Sequence, residues 1–529
     1  MTRRAALAVL AAVLALSLPG SLSAHAVKNG GTLRIAFAIG AFGSIDPAFW
    51  VVDPSTASLM QPTCGSLMAY PDKPFPEGRH LAPSLAESEP TVSRNRKTYR
   101  FTVRKDVRFS DGAPVTPRSF VRALERILTP AMQADAAGLF DFVVGAREMV
   151  AGKAATLAGV SARGRTLTVR LKRPVPNFLD LMTTLCAVPP SLPADPEGAK
   201  APVPSAAPYY AAEYIPGERL VLERNRFYRG ERPHHVARFV AGLAADRGTA
   251  VDEVASGAVE TVLPGGVVAV RSAELARRYG VNKSQFFVTP GAGVRVFVLN
   301  TSRPLFRNNL KLRQAINFAV DRVAIAREDG AWADTPTDQF LYPGIPGYRN
   351  ARIYPLRPDL SRARSLARGR TRGAKAVLYT IQRAEDIAQA QILQQNLKAI
   401  GLDLEIKFQP DLFGKLATPG EPFDIGRIRW FFADPVQLSF AFDGRTIGHP
   451  GFLNFSYFNS PKYNRLLERA SRLSGAARYE AYGKLDVQLS RDAAPAIPVA
   501  ALNALSFVSS RVGCVVVNPF LDLTAVCLK

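Results

Sequence analysis

Tyr99, Phe101 and Val103 alternate with Arg100, Thr102 and Arg104, the period-two signature of a strand with one buried face. Ser110-Asp111-Gly112 then turns the chain. The period changes after Thr116, a natural N-cap followed by Pro117. Phe120, Val121, Leu124, Ile127 and Leu128 line one face of a helix that must end before Pro130. Leu167, Val169 and Leu171 predict a second half-buried strand, closed by Pro174.

Between 195 and 208 this patterning gives way to Pro, Ala and Gly, the texture of a segment crossing between domains. Leu220 and Leu222 open another strand, ended by the Arg224-Asn225-Arg226 turn. Residues 294–300 are apolar on both faces, as in a central strand, and Leu312, Ile316, Ala319, Val320 and Val323 predict one helix behind it. A short apolar strand at 376–380 follows. After it come a helix face of Ile387, Ala390, Leu393, Leu397 and Ile400, a Gly401 cap, and an alternating strand of Leu402, Leu404, Ile406 and Phe408. Strand, helix and strand in that order predict a βαβ unit and hence parallel sheet. No solenoid repeat or low-complexity tract is present.

Composition narrows the class. A chain of 529 residues that is 47% hydrophobic and 21% charged has material for two to four domains, which excludes wholesale disorder. The net charge of +23 is spread along the whole length with no dense basic block and no zinc-finger or RRM motif, so it describes a basic surface and no nucleic-acid partner.

Arg3 and Arg4 precede an almost unbroken apolar stretch at 5–18, too short to cross a bilayer. With Ala24-His25-Ala26 at the cleavage position, residues 1–26 read as a signal peptide and the mature chain is expected to begin at Val27. No Cys stands there to carry a lipid, so the expected location is periplasmic or extracellular, without an anchor. Four cysteines delivered to an oxidising compartment suggest two bridges, out of three possible connectivities. The expected pairs are Cys64 with Cys186 and Cys514 with Cys527, against the alternative of free, buried thiols.

Catalytic and metal-binding chemistry is sparse. Histidines 25, 80, 234, 235 and 449 are dispersed, H-E-x-x-H is absent, and the adjacent His234 and His235 would point to opposite sides of a strand. Neither a metal nor a cofactor is expected. The nucleophile elbow G-x-S-x-G is missing, and the glycines of 145–153 are wrongly spaced for a phosphate loop, with Ala154 in place of its Ser or Thr. A non-enzymatic protein is therefore expected, and a secreted hydrolase would need a triad assembled from distant residues.

One family accounts for these segments together. Lys97-Thr-Tyr-Arg-Phe-Thr-Val-Arg104, continuing through Val107-Arg-Phe-Ser-Asp-Gly-Ala-Pro-Val-Thr116, resembles the signature of the family 5 extracellular solute-binding proteins, the oligopeptide, dipeptide and nickel receptors of ABC importers. Gly30-Gly-Thr-Leu-Arg-Ile35, Leu81-Ala-Pro-Ser-Leu-Ala-Glu87 and Pro208-Tyr209 with Leu222-Glu-Arg-Asn225 resemble its other blocks. So do Val296-Phe-Val-Leu-Asn300, Leu312-Arg-Gln-Ala-Ile316, Ala319-Val-Asp-Arg322, 461–467 and Ala496-Ile-Pro498, so the similarity runs collinearly over about 30–500.

The resemblance implies an α/β, two-lobed periplasmic-binding-protein-like fold, type II of the large cluster, with an additional α+β domain. Residues 27–68, 196–288 and 500–529 would form lobe I, 69–195 the extra domain and 289–499 lobe II. It implies a monomer that captures a peptide between the lobes and delivers it to a membrane permease; another small solute, such as a nickel complex, haem or a small nutrient, is the alternative ligand on the same scaffold. Peptide-binding relatives hold the ligand ammonium with an Asp in a W-x-x-D-x-x-D/E-P stretch. Here Arg429-Trp430-Phe431-Phe432-Ala433-Asp434-Pro435 is two residues shorter between Trp and Pro, so Asp434 is either that carboxylate or a loop-capping Asp. Trp430 is placed to line the cleft or to pack in a core. Asp46, before Pro47, resembles an early loop at the cleft edge, with Phe42 and Trp50 as candidate walls.

Overall fold

The computed structural model describes residues 28–529 apart from 39–41, 51–52, 75–76, 372, 374, 432–433, 449–452 and 519, and apart from the side chains of 54 and 267. The expected signal peptide lies outside the described residues.

Three sheets organise the chain. In the first, Thr261–Leu263, Thr32–Phe37 and Arg238–Leu243 run parallel, and Arg219–Arg224 and Tyr209–Ile215 extend the edge antiparallel. Leu33, Ile35, Phe37, Leu220, Leu222 and Phe239 form its buried face, and Val512, Leu523 and Val526 of the C-terminal tail pack beneath them.

The second sheet is a four-stranded antiparallel unit in the order Thr91–Val92, Thr98–Thr102, Thr166–Arg170, Val160–Arg163. Phe101, Leu167 and Val169 meet Phe120, Leu124 and Ile127 of the helix Pro117–Leu128, the faces that sequence periodicity assigns inward. Thr116 and Ser119 close a capping box with Pro117 in the first turn. Gly112 turns the chain at φ +91°, a conformation that costs glycine nothing.

The third sheet is mixed, in the order Asp334–Pro336, Ala496–Phe507, Phe286–Leu299, Ile425–Trp430, Lys375–Thr380, Asp403–Phe408. The strands Lys375–Thr380 and Asp403–Phe408 pair in parallel with the helix Ala384–Lys398 between them in sequence, the predicted βαβ unit. The central strand is apolar on both faces as predicted, with Val294, Val296 and Val298 in one core and Phe297 and Leu299 in another.

Two readings of the pattern need correction. The strand predicted at 294–300 begins at Phe286, because Pro290, Gly291 and Gly293, which look like breakers, lie inside it. Residues 286–290 pair with 503–507 and 294–298 with 496–501, with the register shifting between the two stretches. The amino end of this strand packs with Leu505 and Phe507 against Ala36 and Val254 beside the first sheet, while its other end lies in the cores of the third. Two paired strands thus pass from one body to the other. Second, the single helix predicted across 312–323 is two, Leu310–Ala319 and Arg322–Arg327. The Asp321 carboxylate accepts the Ala324 N–H and so starts a new helix.

Both expected bridges are present: Cys64–Cys186 with S–S 2.05 Å and Cys514–Cys527 with S–S 2.06 Å.

Candidate ligand cleft

Parallel strands offer ligands their carboxyl ends, where side chains and loops converge beyond the sheet. On the third sheet these ends are Thr380, Phe408 and Trp430, and on the first they are Phe37, Leu243 and Leu263. Asp434 lies four residues beyond Trp430. Its carboxylate accepts Arg478 Nη1 at 2.8 Å, a second and very short bond from Nη2, and the backbone N–H of Val436 at 2.8 Å. Asp434 therefore shapes the loop into the helix Gln437–Phe442 and holds Arg478, whose guanidinium lies 5.5 Å from the Tyr482 ring.

Facing this pair, from beside the second sheet, are Tyr70 and Asp180. The Tyr70 hydroxyl donates a very short hydrogen bond to Asp180. Burial, and next the nearby Asp434 charge, push the Asp180 carboxyl above the ordinary range, with Arg478 only partly offsetting them. Burial and the charges of Asp180 and Asp434 likewise raise the Tyr70 hydroxyl. Among the described residues Asp180 makes no ion pair, so when ionised it adds a negative charge that the Asp434–Arg478 pair does not neutralise.

Another contact reaches the crossing strands. Arg79 Nη2 lies 3.4 Å from the carbonyls of both Pro290 and Gly291. Arg79 also faces Tyr342, whose hydroxyl burial pushes up to about 12.

The aromatic candidates are core residues. Trp430 is 3% exposed and packs 5.4 Å from Phe442 and 6.2 Å from Phe340. Phe42 stacks 5.0 Å from Phe37, and Trp50 is buried in the same core. Asp46 is fully buried and saturated: its oxygens accept Arg126 Nη1 at 2.9 Å and Nη2 at 2.6 Å, Ala48 N at 2.9 Å and Ala199 N at 2.8 Å. Trp430 thus takes the core-packing alternative, Phe42 and Trp50 are likewise buried because apolar rings find more to bury against inside each body, and Asp46 fastens its loop to the helix Pro117–Leu128. Sequence reasoning missed Tyr70, Asp180, Arg478 and Tyr479, the last of which also faces the site, its hydroxyl raised by burial and by the charges of Asp434 and Asp180. The one visible signal was Arg478 set beside Tyr479 and four residues before Tyr482, a cationic and aromatic helix face.

The remaining features lie elsewhere. A cavity of about 400 Å³ bounded by Thr32, Glu223, Arg224 and Arg238 sits at the amino end of the strand Thr32–Phe37, away from the carboxyl ends. Among the described residues no group of three or more His, Cys, Asp or Glu is placed to hold a metal. His234 and His235 bond the Arg232 carbonyl and Asn29. No described helix is long and apolar enough to cross a membrane.

The model of the bacterial extracellular solute-binding proteins, family 5 (middle), matches residues 80–446. The chain belongs to this family. It is 24% identical to the dipeptide-binding protein DppE of Bacillus subtilis, over 83% of each chain, and 24% identical to the periplasmic oligopeptide-binding protein OppA of Escherichia coli, over 78% of each. Among solved structures it resembles clavulanic acid biosynthesis oligopeptide binding protein 2, with a TM-score of 0.83 and 23% identity, covering 95% of this chain and 96% of that one. The fold is that of the two-lobed binding proteins, and a family 5 member has a solute-binding role.

Proposed function

We propose that this protein is exported by its N-terminal segment, captures peptides between lobes centred on the first and third sheets, and delivers them unchanged to an ABC permease. The paired strands Phe286–Leu299 and Ala496–Phe507 carry this reading. They belong to both bodies and change register between them, which suits a hinge that closes the carboxyl ends of two sheets over a ligand. The relatives named for dipeptide and oligopeptide binding favour peptide over other solutes.

In this reading the ligand ammonium lies beside Asp180 and Asp434, where two carboxylates share one arginine and a ligand cation balances the surplus charge. Calorimetry with matched free-amino and N-acetylated peptides tests it. Asp180→Asn should weaken the free-amino peptide about tenfold or more, the worth of roughly 1.4 kcal/mol, and barely affect the acetylated one. Equal losses for both peptides would remove these carboxylates from the ammonium site, and a mature protein that binds no peptide would overturn the functional reading itself.

A further inference from the structure

The C-terminal tail is fastened by a group of side chains with one hydrogen too few for two ionised carboxylates. The Thr524 hydroxyl, fully buried, lies 2.7 Å from Asp72 Oδ1 and 2.5 Å from Asp522 Oδ1. A hydroxyl has a single proton and can donate only one of these bonds. With both carboxylates ionised, the other contact would set an oxygen lone pair against an anionic oxygen at hydrogen-bonding distance. The second bond therefore needs a proton supplied by a carboxyl group.

The surroundings choose which one. Arg232 grips Asp72 through Nε, at 2.8 and 3.1 Å, and Nη2, at 2.7 Å, and this fork requires Asp72 to be the anion. Burial works against that charge, but Arg232 outweighs it and holds the Asp72 carboxyl down at about 2. Among the described residues Asp522 makes no ion pair; its Oδ1 accepts the Thr524 N–H at 2.9 Å, and its carboxyl meets that of Asp72 in a side-chain hydrogen bond. Burial, followed by the Asp72 charge, pushes its carboxyl up to about 7. The other groups facing the site are Gln61, 3.1 Å from Arg232 Nη2, Tyr209, which faces Asp522 and Arg232, and Tyr228, which faces Arg232 and Asp72. Neither tyrosine supplies a second cation.

We infer that Asp522 is a proton-operated clasp: protonated, it supplies the hydrogen shared among Thr524, Asp72 and itself and ties the tail to Arg232, and ionised, it repels Asp72 and releases them. The clasp has a route to the hinge. Asn518 of the same tail donates to the Gly78 carbonyl at 2.6 Å, and the adjacent Arg79 reaches the crossing strand at Pro290 and Gly291. Opening the clasp thus loosens Gly78 and Arg79 where they meet the crossing strands.

The direction with pH follows from linkage. The fastened state binds the proton with a raised pKa near 7 and the released state with an ordinary carboxylate value of about 3.9, so fastening is strongest in acid and is lost as pH rises to about 7. Hydrogen exchange of the mature full-length protein, corrected for intrinsic rates, reads this directly. In peptides from 72–80 and 514–529 the opening constant should rise about tenfold per unit between pH 5 and 7 and level off above. Asp522→Asn should flatten the profile. A flat wild-type profile, or a variant that keeps the wild-type rise, overturns the clasp. Carbon-13 titration of the wild-type carboxyl gives an answer independent of any variant: a midpoint near 7 for Asp522 supports it, and one in the ordinary range of about 4 overturns it.

Discussion

At the scale of single residues, the Asp434–Arg478 pair shows how a ligand candidate can also be a structural necessity. Their side chains are only 11% and 6% exposed, so each charge depends on the other for its solvation. Removing Arg478 leaves Asp434 buried beside Asp180 with no cation, at a cost of about 3–5 kcal/mol, whereas removing Asp434 leaves Arg478 facing Asp180. Arg478→Met should therefore lower the unfolding free energy by about 3 kcal/mol in denaturant titrations, Asp434→Asn should cost less, and the double variant should recover most of the Arg478→Met loss. Simple addition of the two losses would mean that the pair is not coupled. This dependence was hidden from the sequence, which left Asp434 open between two roles: the arginine it pairs with is 44 residues away. Asp46 repeats the lesson, since its partner Arg126 lies on the face of a helix whose apolar stripe was legible while its one buried charge was not.

At the scale of elements, strands and helices with clean periodicity were readable, and their boundaries failed where tertiary contacts override local preference. The helix Pro117–Leu128 needed only its stripe and cap, and the parallel pair Lys375–Thr380 and Asp403–Phe408 only its alternating order. The strand Phe286–Leu299 hid its first half because Pro and Gly usually end strands, whereas here they occupy the irregular stretch between two registers. The family-like Ala319-Val-Asp-Arg322 block was recognised without its reason. Asp321 starts a helix, and the buried Arg322 donates to the carbonyls of Pro498 and Asn317, joining that helix to the strand Ala496–Phe507.

The crossing strands make their own prediction. A Cβ on Gly293 would stand 2.6 Å from the Trp430 carbonyl oxygen, a backbone atom that cannot swing aside. Gly293→Ala should therefore destabilise the protein by about 1–3 kcal/mol through overpacking, while Gly266→Ala, with nothing within 4 Å of its added methyl, should change stability by less than about 0.5 kcal/mol. Equal unfolding free energies for the two variants would mean that the crossing strands part more easily than their pairing suggests.

At the scale of the whole molecule, the two-lobed fold was legible because the motifs are collinear with a known architecture. The proposed ligand face was not, since its residues, Tyr70 and Asp180 on one body and Asp434, Arg478 and Tyr479 on another, are brought together only by folding. Such a face gives closure its energetics. A ligand favours the closed arrangement only by contacting both bodies at once, because contacts made equally in open and closed forms shift nothing. A peptide that reaches Asp180 and Asp434 together does so, and a fragment that touches one body does not. Small-angle scattering on the mature protein should therefore show the radius of gyration falling on saturation with a free-amino peptide. With Asp180→Asn the fall should need a correspondingly higher peptide concentration yet reach the same final value, since the hinge itself is untouched. A variant that binds peptide fully but never contracts would separate binding from closure and place the closing contacts elsewhere than at this carboxylate.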